Sequence, residues 1–441
     1  MNRLSRRSLL GGVGATVGSI GGCLSLLERS GFDPADWPQG QADAGQTKYS
    51  PTPGPVEDAE VAWRQSLENP DHGFYASVFL VDGTVYVGSN EVRRSYFAPG
   101  IHVGSVDSLY AVDSTSGEIA FRVPDVNAVY GLAGTRTYSD GVVLSDRRAR
   151  VGDPQRSHDR TIGLNPSGGI APERWNVRRA PPSGWSGARP GETTAIADGT
   201  WFYCSLYDPG TIVAVDVDDG RERWTRRIDV DGSPILLADT DRLVLVDAWF
   251  PEQSTLHVLD HDGNVLGQAE GPSSPRVTLR DGSITLVAAA DQFVVETYDA
   301  DTLERTWRNA IEIDHDARVQ LATSPEYVVA TADSEQPVPT RLFGFDRHNG
   351  DQRWQTAVSG TDHPRTIALS LAIGDDTVYV GNNDGSVFAF ALADGTERWR
   401  IESAEELGEY EPLGRTVEPI VVGDGRLYLW DGQELLALEE P

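Results

Sequence analysis

Lysine is all but missing from this chain. Of its 37 basic residues only Lys48 is a lysine, and the rest are arginine, set against 67 acidic residues and a formal net charge of −30. Cysteine is nearly as scarce: Cys23 and Cys204 are the two copies in 441 residues, which excludes a disulfide framework. No long stretch carries a sustained helical period, whereas 46 glycines and 26 prolines make the composition rich in turns. The missing basic surface excludes general nucleic-acid binding, because phosphate contacts need a cationic face. An acidic excess of this size opposes compaction in dilute buffer. At molar ionic strength the Debye length falls to about 3 Å and the repulsion is screened. The chain therefore reads as salt-adapted, with a solvated carboxylate shell.

The first residues form an address and an anchor. Arg6 and Arg7, preceded by Ser5 and followed by Leu9 and Leu10, resemble a twin-arginine export signal. The mildly apolar, glycine-rich segment from Ser8 to Gly22 is too short to span a bilayer comfortably. It ends in Ile20-Gly21-Gly22-Cys23, which resembles a lipobox whose cysteine is lipidated. The expected organisation is a signal peptide over residues 1–22, a lipidated tether over 23–36, and one domain over 37–441. The location expected is outside the cytoplasm, anchored to the outer face of the cytoplasmic membrane. Cys204 then stands alone on a predicted strand, where a lone cysteine serves as a small core residue.

What the chain has in abundance is one phrase. An aspartate, three residues, a glycine, three residues and a tryptophan recur as Asp216/Gly220/Trp224 and Asp346/Gly350/Trp354. Asp113/Gly117/Phe121 keeps the spacing with phenylalanine last, Asp299/Leu303/Trp307 has leucine for glycine, and Ala391/Gly395/Trp399 has alanine for aspartate. Asn165/Gly169/Trp175 is two residues longer, and Asp260/Gly263/Gly267 is one shorter and lacks the aromatic. Aspartate and glycine suit a tight turn between strands, and the closing aromatic suits packing against a neighbouring unit. Upstream of the phrases lie Asp-Gly hairpin turns at 82–83, 140–141, 198–199, 281–282 and 424–425, flanked by β-branched and aromatic residues.

Each unit thus predicts four antiparallel strands, with its last-strand slot at 121, 175, 224, 267, 307, 354 or 399. That repeat length means propeller blades. The C-terminal segment offers three strands and no fourth, and Glu60–Leu67, with Trp63 in the aromatic slot, supplies the missing one. Joining the two ends gives an all-β, eight-bladed propeller with no open edge. Seven blades would result if the unit around Gly267 were irregular.

The stretches YAVDSTSGEIAF, AVDVDDGRERW and FDRHNGDQRW resemble the PQQ-like repeat of quinoprotein dehydrogenases and related propellers. Residues 36–55 resemble the segment that often precedes such propellers. The resemblance implies the fold, and it makes Trp63, Phe121, Trp175, Trp224, Trp307, Trp354 and Trp399 structural. In size the chain is also similar to eight-bladed lipoproteins that assist outer-membrane assembly. The function expected is a cell-surface, non-catalytic scaffold that binds a protein or small ligand, with no catalytic residue and no metal site. The alternative is a dehydrogenase of alcohols or sugars dependent on the quinone PQQ and calcium. Against it, the chain has no adjacent cysteine pair, no large blade insertions and no CxxCH haem motif.

The eight histidines, among them His72, His102 and His158, read as loop residues without metal-ligand spacing. DVDDG at 216–220 and DVDG at 229–232 lack the spacing of a calcium loop. One region departs from the acidic background: nine arginines and three acids lie between 147 and 189. Arg93, Arg94, Arg147, Arg148, Arg150, Arg156, Arg160, Arg178, Arg179 and Arg189 are expected in loops of one sector of one face. There they would grip an anionic ligand or an acidic partner.

Overall fold

A computed structural model describes residues 36–37, 42–67, 77–94, 102–124, 135–139, 142–149, 158–164, 173–179, 194–204, 210–230, 233–248, 253–289, 292–312, 318–333, 340–358, 368–382, 385–401, 419–430 and 434–441. Every ordered element among them is a strand. β1 (Tyr49–Ser50) and β2 (Glu60–Ser66) belong to the N-terminal segment. The first sheet is β3 to β6 (Ser77–Val81, Thr84–Arg94, His102–Asp113, Ile119–Pro124), and the second is β7 to β10 (Thr135–Ser139, Val142–Ala149, His158–Leu164, Glu173–Arg179). The third is β11 to β14 (Thr194–Ala197, Thr200–Cys204, Thr211–Asp216, Glu222–Arg227), and the fourth β15 to β18 (Ser233–Ala238, Arg242–Ala248, Ser254–Asp260, Val265–Gly271). The fifth is β19 to β22 (Arg276–Arg280, Ser283–Ala289, Phe293–Asp299, Arg305–Ile311), and the sixth β23 to β26 (Arg318–Thr323, Tyr327–Asp333, Thr340–Asp346, Gln352–Val358). The seventh is β27 to β30 (Ala368–Gly374, Thr377–Asn382, Val387–Ala391, Glu397–Ile401). The eighth joins β31 to β33 (Ile420–Gly423, Arg426–Trp430, Glu434–Glu439) to β2.

Each sheet is an antiparallel meander of four strands, and the seventh carries β1 as a fifth, parallel strand on β27. The first strand of each sheet neighbours the first strand of the next, and β31 neighbours β3. This is a multi-bladed β-propeller. The expected exchange at the ends occurs: β2 pairs with β33 from Glu60↔Glu439 to Ser66↔Glu434. The sheet around Gly267 is regular, with β18 laddered along β17 from Ser254↔Gly271 to Leu259↔Val265.

The sequence explains the local geometry. The Asp82-Gly83 turn has φ of 49° and 69°, the two left-handed residues that a tight hairpin with right-handed twist requires. Asp198-Gly199, Asp281-Gly282 and Asp424-Gly425 repeat it, and 140–141 lie outside the described residues. In the second hairpin the ladder slips by one residue at the same point of several sheets, between Ala214 and Val215, Thr297 and Tyr298, Gly344 and Phe345, and Ala389 and Phe390. That bulge sharpens the bend of the outer strand. The middle strands are apolar on both faces, as in β28 (TVYVGN) and β29 (VFAFA), because each sheet is sandwiched between two others. Burying each such valine, leucine or phenylalanine contributes roughly 1.5–3 kcal/mol. Cys204 is buried at the end of β12 and forms no disulfide.

Candidate functional site

The repeated phrase builds a clasp between neighbouring sheets. The Trp175 indole Nε1 donates to the Val217 carbonyl of the next sheet at 2.9 Å, and its ring lies on Gly220, where a Cβ would stand 2.6 Å from the ring. Trp354 repeats this with the Leu392 carbonyl at 2.8 Å and with Gly395. Trp63 does so with the Ser114 carbonyl at 3.0 Å and with Gly117, across the junction of the chain ends. Trp224 and Trp307 bond the carbonyls of His261 and Arg347 in the same way. At the seventh sheet Trp399 Nε1 donates instead to the Pro55 carbonyl at 3.0 Å. The ring and the glycine are therefore one unit split between two sheets: the turn glycine exists because a tryptophan lies on it.

The phrase aspartates are consumed by the same frame. Asp113 Oδ1 accepts the Ser116 amide at 2.8 Å, and the bonds from Ser116 hold its carboxyl below the ordinary carboxylate range. Asp216 is held low chiefly by its bond from Arg223, and Asp346 chiefly by its bond from Arg353. DVDDG is thus a hairpin turn in which Asp216 binds its own backbone. Among the described residues there is no group of three or more His, Cys, Asp or Glu that could hold a metal ion.

A second polar system lies where the first strands end. Trp37 exchanges backbone bonds with Leu80 of the first sheet at 2.7 and 3.0 Å. The segment 42–50 then serves the fourth to seventh sheets in turn. The amides of Ala238, Leu279, Thr323 and Ile373 donate to the carbonyls of Ala44, Gly45, Thr47 and Lys48 at 2.8–2.9 Å. Ala42, Gln46 and Lys48 hold positive φ to keep this register, a strain that only surrounding structure can maintain. Under the strap, Asp43 accepts the Thr47 amide at 3.0 Å and the Thr47 hydroxyl at 2.6 Å. Desolvation nevertheless pushes the Asp43 carboxyl up, against the pull of Thr47 and Arg280. Arg280 is 3% exposed, its guanidinium lies 4.8 Å over the Tyr49 ring, and its Nε is 3.5 Å from Asp281. Lys48 Nζ reaches Gln320 Oε1 at 3.0 Å. The inner rim at this end is thus occupied by the chain's own N-terminal segment.

A family model described as outer membrane protein assembly factor BamB matches residues 166–288 and 254–440. The chain belongs to that family. Its fold is similar to BamB from Moraxella catarrhalis (15% identity, TM-score 0.53, covering 86% of this chain and 99% of that one). It is also similar to the quinohemoprotein alcohol dehydrogenase from Comamonas testosteroni (14%, TM-score 0.58, 92% and 80%). A europium-containing methanol dehydrogenase is a third likeness (12%, TM-score 0.58, 92% and 90%). No protein of curated function matches the sequence. At these identities the likenesses show the fold alone.

Within this BamB-family propeller the expected site residues fall as follows. The structural aromatics Trp63, Phe121, Trp175, Trp224, Trp307, Trp354 and Trp399 all lie on fourth strands. Arg6, Arg7, Cys23, Arg150, Arg156 and Arg189 lie outside the described residues. Arg93 and Arg94 end β4, Arg147 and Arg148 lie in β8, Arg160 in β9, and Arg178 and Arg179 in β10. The arginines were expected in loops; the ladder extends further than their charge suggested, because β8 and β9 stay paired from Val143↔Leu164 to Ala149↔His158. The histidines also differ from expectation. His102 opens β5, His158 opens β9, and His257 is buried within β17, where desolvation pulls its imidazole pKa down. Its place in the apolar run STLHVLD was the available signal. The strap's role escaped the sequence reading, since its bonds are carbonyl acceptors that any side chain could accompany.

Proposed function

We propose that this chain is an extracytoplasmic scaffold, tethered through Cys23 after export directed by Arg6 and Arg7, that binds a protein or ligand on the face opposite its N-terminal strap. The observation that supports it most is where the polar residues of the repeat are spent. Aspartates, glycines and indole N–H groups close turns and clasp sheets, so the repeat supplies a rigid platform and leaves chemistry to the connections. The name of the matched family, an outer membrane assembly factor, points the same way, toward an envelope location and a protein partner. The sequence's salt-adapted charge is consistent with a surface exposed to brine.

Photo-crosslinking in the producing cells tests it. Reactive residues placed at Arg93 and Arg178 should yield a discrete adduct, and the same residues at Gly199 and Gly282, on the strap end, should not. Equal adducts from both ends would reject the assignment of the face.

The second reading, a quinone-dependent dehydrogenase, is favoured by the likeness to the two dehydrogenases. Among the described residues no group of three or more His, Cys, Asp or Glu could hold a metal ion, and their one cysteine, Cys204, is buried. Titration of the full chain with PQQ and calcium in molar salt separates the two. Saturable binding with a raised melting temperature would return the enzyme reading.

A further inference from the structure

The outer strand of the fourth sheet lacks the charge that guards the others. β2, β6, β10, β14, β22, β26 and β30 each carry at least one arginine. β18 reads VLGQAEG, with no basic residue and no proline, and Glu270 is its one charge. Charged side chains on an edge strand oppose pairing with a further strand, so this edge stands open to one. β18 ends its sheet, with β17 as its ladder partner. Its first residues are also bare of cover: Val265 is 50% and Leu266 56% exposed. Ile119 of β6, at 39%, is the other exposed large apolar residue among the described residues. Leu266 is the extra residue of a bulge, set between the pairs Leu259↔Val265 and Val258↔Gly267, which accounts for its outward position.

The two ends of this strand hold opposite charges. At its start Arg226 reaches across from the third sheet, where its Nε donates to the Gly263 carbonyl at 2.7 Å and its Nη2 to Asn264 Oδ1 at 3.3 Å. At the far end the Glu270 side chain is exposed, while its carbonyl accepts the Tyr298 hydroxyl at 3.0 Å. Among the described residues neither the Arg226 guanidinium nor the Glu270 carboxylate has an ion-pair partner. A cation at one end and an anion at the other make the edge complementary to itself. With a second β18 laid antiparallel and the two Gly267 residues opposed, counting outward sets Leu266 opposite Gln268, Val265 opposite Ala269 and Asn264 opposite Glu270. Each Glu270 then arrives beside the Arg226 that holds the opposing Asn264. Twofold symmetry makes every such contact twice.

We propose that β18 is a homodimerisation edge, through which two copies of this chain join their fourth sheets side by side. The added ladder supplies main-chain hydrogen bonds, the exposed valine and leucine lose contact with water, and the reciprocal ion pairs fix the register. A net charge of −30 on each copy opposes their approach in dilute buffer. At molar ionic strength the Debye length of about 3 Å removes that barrier. A strand from another protein would satisfy the backbone equally well, but it is the match between the strand's own two ends that selects a second copy. The inference goes beyond the scaffold reading and does not depend on which face of the propeller takes a partner.

The test is sedimentation equilibrium of the full-length chain in molar potassium chloride over a concentration series, with Cys23→Ser so that no lipid adds to the mass. A reversible monomer–dimer equilibrium that stops at two copies is expected. Leu266→Lys should weaken dimerisation at least tenfold and leave the melting temperature of the chain unchanged, because the side chain is exposed. Ile119→Lys, the same change at the other exposed apolar position, should alter it less than threefold. Arg226→Glu and Glu270→Arg should each cost at least tenfold, and the two together should return the affinity to within threefold of the parent. Recovery in the charge-swapped chain also excludes a folding defect as the cause of the single losses. A monomer at every concentration would overturn the proposal and leave the edge to a strand of another protein. Growth beyond the dimer, equal losses from Ile119→Lys and Leu266→Lys, or a double variant no better than its parts would overturn it too.

Discussion

Leu303 fills the place that Gly267 leaves empty. Its Cδ1 lies 2.7 Å from where a Cβ on Gly267 would stand. Gly267 occupies the tryptophan slot of the fourth sheet, and Leu303 occupies the glycine slot of the fifth, with φ of 57°. Two apparent irregularities of the repeat are therefore one exchange: the large residue and the small one have traded sheets.

The exchange predicts strong coupling. Gly267→Trp alone should destabilise, because the indole meets Leu303, and Leu303→Gly alone should open a cavity. The double variant restores the arrangement seen at Trp175 and Gly220 and should recover much of the loss. A coupling of about 1–3 kcal/mol is expected from denaturant unfolding, and strict additivity would show that the two positions do not share a space.

The clasps predict a graded cost at Trp354. Trp354→Phe keeps most of the buried ring and loses the bond to the Leu392 carbonyl, at about 1–3 kcal/mol for the unsatisfied acceptor. Trp354→Ala also leaves a cavity against Gly395 and should cost about 3–5 kcal/mol. Equal melting points for the two variants would contradict the role given to the indole N–H.

The strap predicts a defined hydrogen-exchange signature. A Cβ on Gly45 would collide with the Leu279 carbonyl, so Gly45→Ala should lift the strap. Protection should then fall at the amides of Ala238, Leu279, Thr323 and Ile373, which donate to it, while the amides of β12 and β13 keep theirs.

The turn aspartates predict acid lability with a known sign. Asp113, Asp216 and Asp346 are held below the ordinary carboxylate range in the folded chain. Their contribution to stability is complete above about pH 4, the ordinary aspartate value. It is lost as pH falls through that value toward their lowered ones. The denaturant midpoint, followed from about pH 6 down to pH 3 in molar salt so that net charge is screened, should fall with acid. Asp216→Asn and Asp346→Asn together should flatten that slope.

The repeat was legible because it is written in residue types with one job each. A left-handed turn demands glycine or its few substitutes, and a wedge between sheets demands a large ring, so spacing alone located the fourth strands. The unit around Gly267 looked weak because its compensation sits 36 positions later, in another sheet, where no local pattern records it. The strap was illegible for a different reason. Backbone carbonyls carry its bonds, and its left-handed residues are alanine, glutamine and lysine, none of which announces that conformation. The arginines lay between these cases: their charge was visible, but their place on strands rather than in loops required the register.

The pairing of β2 with β33 also orders events in time. Residues 42–66 leave the ribosome before the sheets in which they find their partners, and the ladder they complete runs to Glu439. An early product has a strap with nothing to cross and a strand with no sheet. A chain truncated before β33 is therefore left with an unpaired β2 and an open seam between its first and last sheets.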